Sequence, residues 1–393
     1  MKTYDWIVVG AGLVGSAFGY ELAKAGFSVL LLDRATQSLN ATRYSYGGIA
    51  YWSGNTPLLC QLCDESQAIY QMLAAELDYD IQYRDLDLLL TVDADRDPAA
   101  IAPNYTDFRI PPTQLAPTTA GEIEPLLNTG AIAAAFHTKH GNVVPRALAQ
   151  GYQTAMQRQG GVLDIATVNG FEQSGSRIQG IQTDQGTIHG ANVLVCAGGL
   201  SRSLLHQAGI SAQVYFTQAE LIQTPPLDEL HLQSIVMPAE LDRMEMEAEA
   251  TQPDKEALWD EPGHEVAPAI LDVGALQYQD GSVRMGQTSR VLTNPQAQLD
   301  AAASEAQIRA GIGTVLPALQ DVPGTWASCL VSFSGDRLPL IGTLSNHEGL
   351  HLCAGFNGPF LLAPPLARHF AKFHKGEATD VLPQLAPDRF SRV

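Results

Sequence analysis

Three glycines and one carboxylate near the start of the chain have a spacing that suits phosphate chemistry. The stretch reads Asp5-Trp6-Ile7-Val8-Val9-Gly10-Ala11-Gly12-Leu13-Val14-Gly15, a G-x-G-x-x-G turn that closes an apolar run. Gly10 allows a tight turn, Gly12 leaves the backbone bare where a pyrophosphate must approach, and Gly15 lets the following helix, opened by Leu13 and Val14, pack close to the strand. The first N–H groups of that helix, with its partial positive charge, face the phosphates. Asp33 lies 21 residues after Gly12 and is followed by Arg34. A carboxylate at this place accepts hydrogen bonds from a ribose 2′-OH.

The elements that hold these residues follow from the local pattern. Residues 5–9 and 28–33 read as buried strands, with an apolar-periodic helix between them ending at Gly26. Beyond the polar loop 35–42, which contains Thr42, come Arg43 and the Gly47-Gly48 pair, then a helix over 58–77 and a strand over 86–92. Residues 93–120 read as irregular surface chain. A short helix is expected at 122–127 and a strand at 131–137. A helix with Pro145 in its first turn runs to about 159. Strands are expected at 162–171, which includes Val168, at 178–183 and at 186–189. A further buried strand ends in Cys196-Ala197-Gly198-Gly199. Residues 214–292 read as antiparallel strands interrupted by an acidic, Met-bearing segment at 237–267. The bland reading of that segment is a solvated helical insertion; the sharper one is a lid over a substrate pocket. Helical periodicity returns at 301–316 and after a strand at 350–354.

Composition limits the partners. The chain has 393 residues, enough for two domains, and a net charge of −19. No basic stripe offsets repulsion by nucleic acid, so none is expected as a partner. No apolar run is long enough for a membrane span. The chain enters its first strand directly after Met1-Lys2-Thr3-Tyr4, with no signal-peptide pattern, so a cytoplasmic location is expected. The five cysteines read as reduced thiols, and Cys60-Gln61-Leu62-Cys63 lacks the second pair or histidines of a zinc site, so no metal is expected.

Three separated segments fit together: the N-terminal turn, the Cys196-Ala197-Gly198-Gly199 strand end, and a C-terminal pair of motifs. That pair is Asp336-Arg337-Leu338-Pro339-Leu340-Ile341-Gly342 and Gly355-Phe356-Asn357-Gly358-Pro359-Phe360-Leu361. Together they resemble the D-amino acid oxidase family of FAD enzymes, in its glycine and sarcosine oxidase-like branch. The resemblance runs nearly end to end. It implies an α/β fold with a discontinuous, Rossmann-like FAD-binding domain (1–80, 140–212 and 325–393) and a mixed-sheet substrate domain (81–139 and 213–324). It also implies oxidation of an amine or amino acid by hydride transfer to flavin N5, with oxygen as the usual acceptor and hydrogen peroxide as product. The helix starting near Gly358 then stabilises negative charge on the reduced flavin.

The chain departs from that pattern where the family holds the substrate carboxylate. The family's arginine five residues before the motif aspartate is replaced by Val331, and the lysine of sarcosine oxidases falls at Leu362. Loss of a bidentate arginine removes much of carboxylate recognition. Arg290 is therefore the first choice for a replacement cation, with Arg284 and Arg43 as alternatives; Tyr51, Tyr215 and His264 are candidate pocket residues, and Arg290, Tyr215 and Tyr51 are the residues expected to be catalytic. Cys329 stands where sarcosine oxidases attach the flavin covalently. Its other reading is a small buried residue, and non-covalent FAD is the expectation. Three functions remain open: an oxidase; a dehydrogenase passing electrons to a quinone or carrier; and a flavin-binding homologue without catalysis.

Overall fold

A computed structural model describes residues 3–37 and 39–391. The chain opens with β1 (Tyr4–Val9), α1 (Leu13–Lys24), β2 (Val29–Asp33), α2 (Ala41–Tyr44), β3 (Gly48–Ile49), α3 (Pro57–Leu77) and β4 (Arg84–Asp93). It continues through α4 (Pro98–Ile101), β5 (Thr113–Leu115), α5 (Pro117–Ile123), β6 (Ile132–Asn142) and α6 (Pro145–Arg158). Next come β7 (Val162–Ile165), β8 (Val168–Ser174), β9 (Arg177–Thr183), β10 (Gly186–Val195) and α7 (Ser201–Gln207). The middle holds β11 (Tyr215–Gln223), β12 (Ser234–Pro238), α8 (Asp242–Ala250), β13 (Glu265–Gln277), β14 (Val283–Leu292) and α9 (Ala301–Val315). The chain closes with β15 (Thr325–Phe333), β16 (Leu340–Thr343), β17 (Leu350–Ala354) and α10 (Pro359–His374).

Among the described residues these strands form two sheets. The first runs β16-β17-β10-β1-β2-β7, with β8 and β9 attached through β10. Its centre is parallel: β1 pairs with both β10 and β2, and β10 with β17. Strands buried on both faces read as continuous apolar runs, as in Val29-Leu30-Leu31-Leu32. Trp6, Val8 and Leu31 pack towards α1 and α10 on one face, and Ile7, Val9 and Leu32 into a second cluster on the other. The second sheet runs β15-β11-β14-β13-β12-β4-β6-β3 and is mostly antiparallel. The segment from 325, expected with the cofactor unit, opens with β15, which pairs with β11 in this second sheet. Helix α9 covers one face of that sheet through Ile308 and Ile312. Leu88, Leu90 and Leu276 on the other face join the cluster that contains α1 and α10.

Several boundaries differ from the sequence reading. The short helix is α5 and ends before Glu124, because Pro125 disfavours helical backbone in the residue ahead of it. The Glu124 carboxylate instead accepts from Gln233 N, Ser234 N and Ser234 Oγ. The strands expected as two pieces around Gly190 are one strand, β10. Its first half pairs antiparallel with β9 and its second half parallel with β1. The acidic insertion is helical, but one face is not solvated. Met246 and Ala250, at the i, i+4 spacing of a helix face, and Trp259 beyond the helix are buried against Tyr215, Phe216 and Phe333.

Candidate functional site

The turn between β1 and α1 is built on positions that tolerate no side chain. At Gly10, with φ +108°, a Cβ would stand 2.4 Å from the Cys196 carbonyl oxygen; at Gly15 it would stand 1.8 Å from the Gly10 oxygen. Gly12 caps α1 with no side-chain hydrogen bond, and a Cβ there would meet Thr42 Oγ1 at 3.2 Å. Thr42 Oγ1 accepts from Leu13 N at 2.9 Å, and Asp33 Oδ2 accepts from Ala11 N at 2.9 Å. Asp33 thus braces the turn and also faces a cavity of about 350 Å³ lined by Gly12, Thr42, Arg43, Arg146 and Gln153. A bare backbone at a helix start, an arginine and a carboxylate around one cavity suit the ADP half of a dinucleotide. Val14 is half-buried and Arg34 is exposed. Val168 opens β8 and packs on the cluster beneath β2.

The second half of the site comes from the far end of the chain. Ala197 and Gly198 (φ +56°) turn the backbone away after β10, and Gly355 N donates to Ser332 Oγ at 3.2 Å. Helix α10 starts at Pro359 with Gly358 at its cap and no side-chain cap. Pro364 lies inside α10 and has no N–H, so the Phe360 carbonyl loses its helical donor. Tyr70 Oη replaces it, donating to Phe360 O at 2.6 Å. Phe360 and Leu361 are buried.

Between the two halves, four hydrogen bonds fix the loop at 45–48. Tyr278 Oη donates to Ser45 O, Asn142 Nδ2 to Tyr46 O, Val143 N to Gly47 O, and Tyr46 Oη to Gly286 O. A Cβ on Gly48 would meet His140 Nε2 at 2.5 Å. His140 is buried, which pushes its pKa down to about 4, and its Nδ1 accepts from Trp52 Nε1 at 3.1 Å. The ring beneath the loop is therefore neutral at pH 7.

The three residues expected to be catalytic are not brought together. Arg290 Nε donates to Glu220 Oε1 at 2.8 Å, and Glu220 is fully buried. Tyr215 Oη bonds to Glu256 while the Arg202 guanidinium lies 5.4 Å above its ring. Tyr51 Oη donates to Asp85 Oδ1 at 3.0 Å. His264 lies 3.5 Å from Glu261 and is partly exposed. Each belongs to a separate set of contacts that ties segments of the chain together.

Arg284 differs. It stands opposite Leu276, on the face of the second sheet turned towards α1 and α10. Its guanidinium lies 5.4 Å above the Tyr278 ring, and its Nε and Nη1 are buried with no hydrogen-bond partner among the described residues. Tyr46 is half-buried beside it, and removal of its phenol from water raises its pKa; its charged neighbours are Asp272, Arg284 and Arg243, with the Tyr278 phenol also close. Glu247, from the acidic insertion, reaches the same region. It accepts from Thr217 Oγ1 at 2.9 Å and from Asn357 Nδ2 at 3.5 Å, while Asn357 Oδ1 is buried without a partner among the described residues. Sequence reasoning named Arg284 second and missed Tyr46, Tyr278, Asp272 and Glu247. The alternation of Asp272, Gly274 and Leu276 along one strand was the available signal for Asp272.

Two motif residues turn out to be held by protein contacts. Both oxygens of Asp336 accept from Arg389, at 2.7 Å each, and Asp336 also caps Leu338 N. Cys329 is buried among Tyr44, Ala219, Leu221 and Ala327, and burial pushes its thiol up to about 12. Val331 packs against the same cluster, and Leu362 is buried.

A family model described as FAD dependent oxidoreductase, abbreviated DAO, matches residues 5–373. The chain belongs to this family. It is an FAD-dependent oxidoreductase, and the turn, cavity and uncapped helix described above fit that cofactor. Glycine oxidase of Pseudomonas aeruginosa is 26% identical over 385 residues, covering 94% of each chain. Among solved structures, glycine oxidase from Geobacillus kaustophilus superposes with a TM-score of 0.80 at 21% identity, covering 99% of both chains. L-proline dehydrogenase from P. horikoshii superposes at 0.78 with 18% identity, covering 100% of this chain and 98% of that one. Both solved structures share this mixed α/β fold from end to end. Among the described residues no helix is long and apolar enough to cross a membrane.

Proposed function

We propose that this oxidoreductase oxidises the carbon–nitrogen bond of an amino acid or closely related amine, with Arg284 holding the substrate carboxylate and oxygen reoxidising the cofactor. The observation that carries this reading is the pair of unpartnered, buried Arg284 nitrogens on the sheet face opposite the glycine turns. A buried guanidinium without an acceptor is costly, and an incoming carboxylate supplies one. The relative named glycine oxidase supports an amino acid as the substrate class.

The chain's own groups then have distinct tasks. Gly10, Gly12, Gly15, Asp33, Thr42 and Arg43 hold the ADP half of FAD, and the backbone at Gly355–Pro359 holds the flavin end. Bound FAD supplies the two-electron acceptor for hydride from the substrate carbon. The uncapped start of α10 turns its N–H groups towards negative charge that develops there. Tyr278 stacks under Arg284 and, through Ser45, fixes the loop that separates the anchor from the cofactor turn.

The test is anaerobic mixing of the FAD-loaded protein with a panel of amines and amino acids, read as loss of oxidised-flavin absorbance. Bleaching by at least one amino acid is expected, with Arg284→Met raising the concentration required. No bleaching by any amine or amino acid would overturn the reading. A peroxide assay on the bleaching compound then separates an oxidase from a dehydrogenase. Peroxide equal to substrate consumed is expected, and bleaching without peroxide in air would assign the electrons to a quinone or carrier instead.

A further inference from the structure

Asp272 is a carboxylate near Arg284 that stands without a partner among the described residues and, unlike the exposed Asp242 beside it, is half-buried. It lies on β13, four residues before Leu276, whose partner across the sheet is Arg284. Between the two positions the sheet carries the Gly274–Gly286 pair, which adds no side chain. Asp272 is half-buried and makes no hydrogen bond or ion pair among the described residues, whereas neighbouring Glu247 is held by Thr217 and Asn357. The charged groups facing Asp272 are Arg243, Asp242 and Glu247 from α8, and it in turn faces the half-buried Tyr46, which also neighbours Arg284. Among the described residues Arg243 forms no ion pair of its own within 4 Å.

We propose that Asp272 receives the ammonium group of the substrate and takes one of its protons, while Arg284 holds the carboxylate of the same molecule. The inference rests on the amine-oxidising reading above. An amino acid in water at pH 7 is a zwitterion, and its ammonium has no lone pair with which to form a C=N bond. In the proposed step one N–H bond breaks, its electron pair stays on nitrogen, and the proton forms an O–H bond on an Asp272 oxygen. The substrate becomes a neutral amine and Asp272 a carboxylic acid; no oxidant is needed. Burial raises the Asp272 carboxyl above its usual range and so favours its protonated state, while nearby Arg243 opposes this.

The decisive experiment uses the FAD-loaded protein and two probes that differ only by the ammonium group. 2-Aminoisobutyrate carries both charges but no α-hydrogen, so it binds without reacting; isobutyrate lacks the ammonium. Binding is read as the perturbation of the oxidised-flavin spectrum. Asp272→Asn should weaken 2-aminoisobutyrate by about 10-fold or more and leave isobutyrate within about twofold of wild type. Equal weakening of both probes, no weakening of either, or failure of both to bind the wild type would overturn the proposal. With a substrate that bleaches the flavin, Asp272→Asn should also move the acid limb of the reduction rate upwards by about one pH unit or more. An unchanged limb in a variant that still bleaches would refute the role of Asp272 without touching the reaction class, whereas absence of bleaching in the wild type refutes the class. If Asp272→Asn does not retain FAD, the wild type decides by dye-detected proton release on binding 2-aminoisobutyrate. None is expected, and one proton released per molecule bound would overturn the inference.

Discussion

Removing the Arg290 side chain separates two roles that its sequence position allows. In the structure its guanidinium neutralises Glu220, whose side chain has 0% exposure, while Arg290 itself is 27% exposed. Arg290→Ala therefore strands a buried carboxylate, and removing one partner of such a pair costs about 3–5 kcal/mol. An unfolding entropy of about 2.1 cal/mol/K per residue gives about 0.8 kcal/mol/K for 393 residues, so Tm should fall by about 4–6 °C. Replacing both charges, as Glu220→Gln with Arg290→Met, should restore at least half of that loss, because the uncompensated charge is gone. Calorimetry of the FAD-loaded variants measures both shifts. On the bleaching substrate, the double variant should keep KM within about twofold of wild type, since no ground-state contact has been removed. A single variant with unchanged Tm and a KM raised by about 100-fold would refute this reasoning and return the anchor to Arg290.

Three further outcomes are expected. Gly12→Val should yield folded protein with little FAD, because its side chain enters the cavity beside Thr42; full flavin absorbance in the purified variant would count against the cofactor site. Acid denaturation followed by filtration should release the yellow colour, since the buried Cys329 thiol, pushed up to about 12, is poorly placed to form a thiolate; colour retained by the protein but lost in Cys329→Ser would show a covalent link. Burial raises the Asp336 carboxyl, but hydrogen bonds and charge from Arg389 outweigh it, so its folded pKa is lowered. The stabilisation from this pair should be complete above the ordinary carboxylate range, at about pH 5, and be lost as pH falls through the lowered folded value. Arg389→Met should thus cost about 1 kcal/mol more at pH 7 than at a pH below the folded value, where Arg389 keeps only its hydrogen bonds to the Leu338, Pro339, Leu385 and Ala386 carbonyls; an equal cost at both pH values in calorimetry would refute the role of the ion pair.

What could be read from the sequence was local. The first strand, glycine turn, helix and second strand lie within a few dozen residues, and each part carries its own signal. The same holds for the Gly358–Pro359 helix start. The anchor was harder, because Arg284 and Arg290 are six residues apart on β14, a spacing that places both on one face of a regular strand. The register shift opposite Glu220 and Leu221 adds Gln287 to the strand, so Arg284 faces the cofactor side and Arg290 faces Glu220. Nothing in the linear pattern of β14 announces that extra residue. Tyr46, Tyr278 and Glu247 reach the site from three distant segments, and their convergence is a property of the tertiary packing. Glu124 shows the opposite case: Pro125 stood in plain view and should have ended the short helix before Glu124 rather than at residue 127.

The strand order of the first sheet also bears on how the chain is made. β1 and β2 emerge first, yet β1 pairs with β10, and β10 with β17 near the other end. About 300 residues separate β2 from β17, and at about 5–20 residues per second translation takes roughly half a minute to bridge them. During that interval the nascent chain carries a complete pyrophosphate turn but neither α10 nor the Gly355 segment. Cofactor retention therefore reports on the last segment made as much as on the first. A nick or truncation after residue 350 would empty the site while leaving every residue of the G-x-G-x-x-G turn in place.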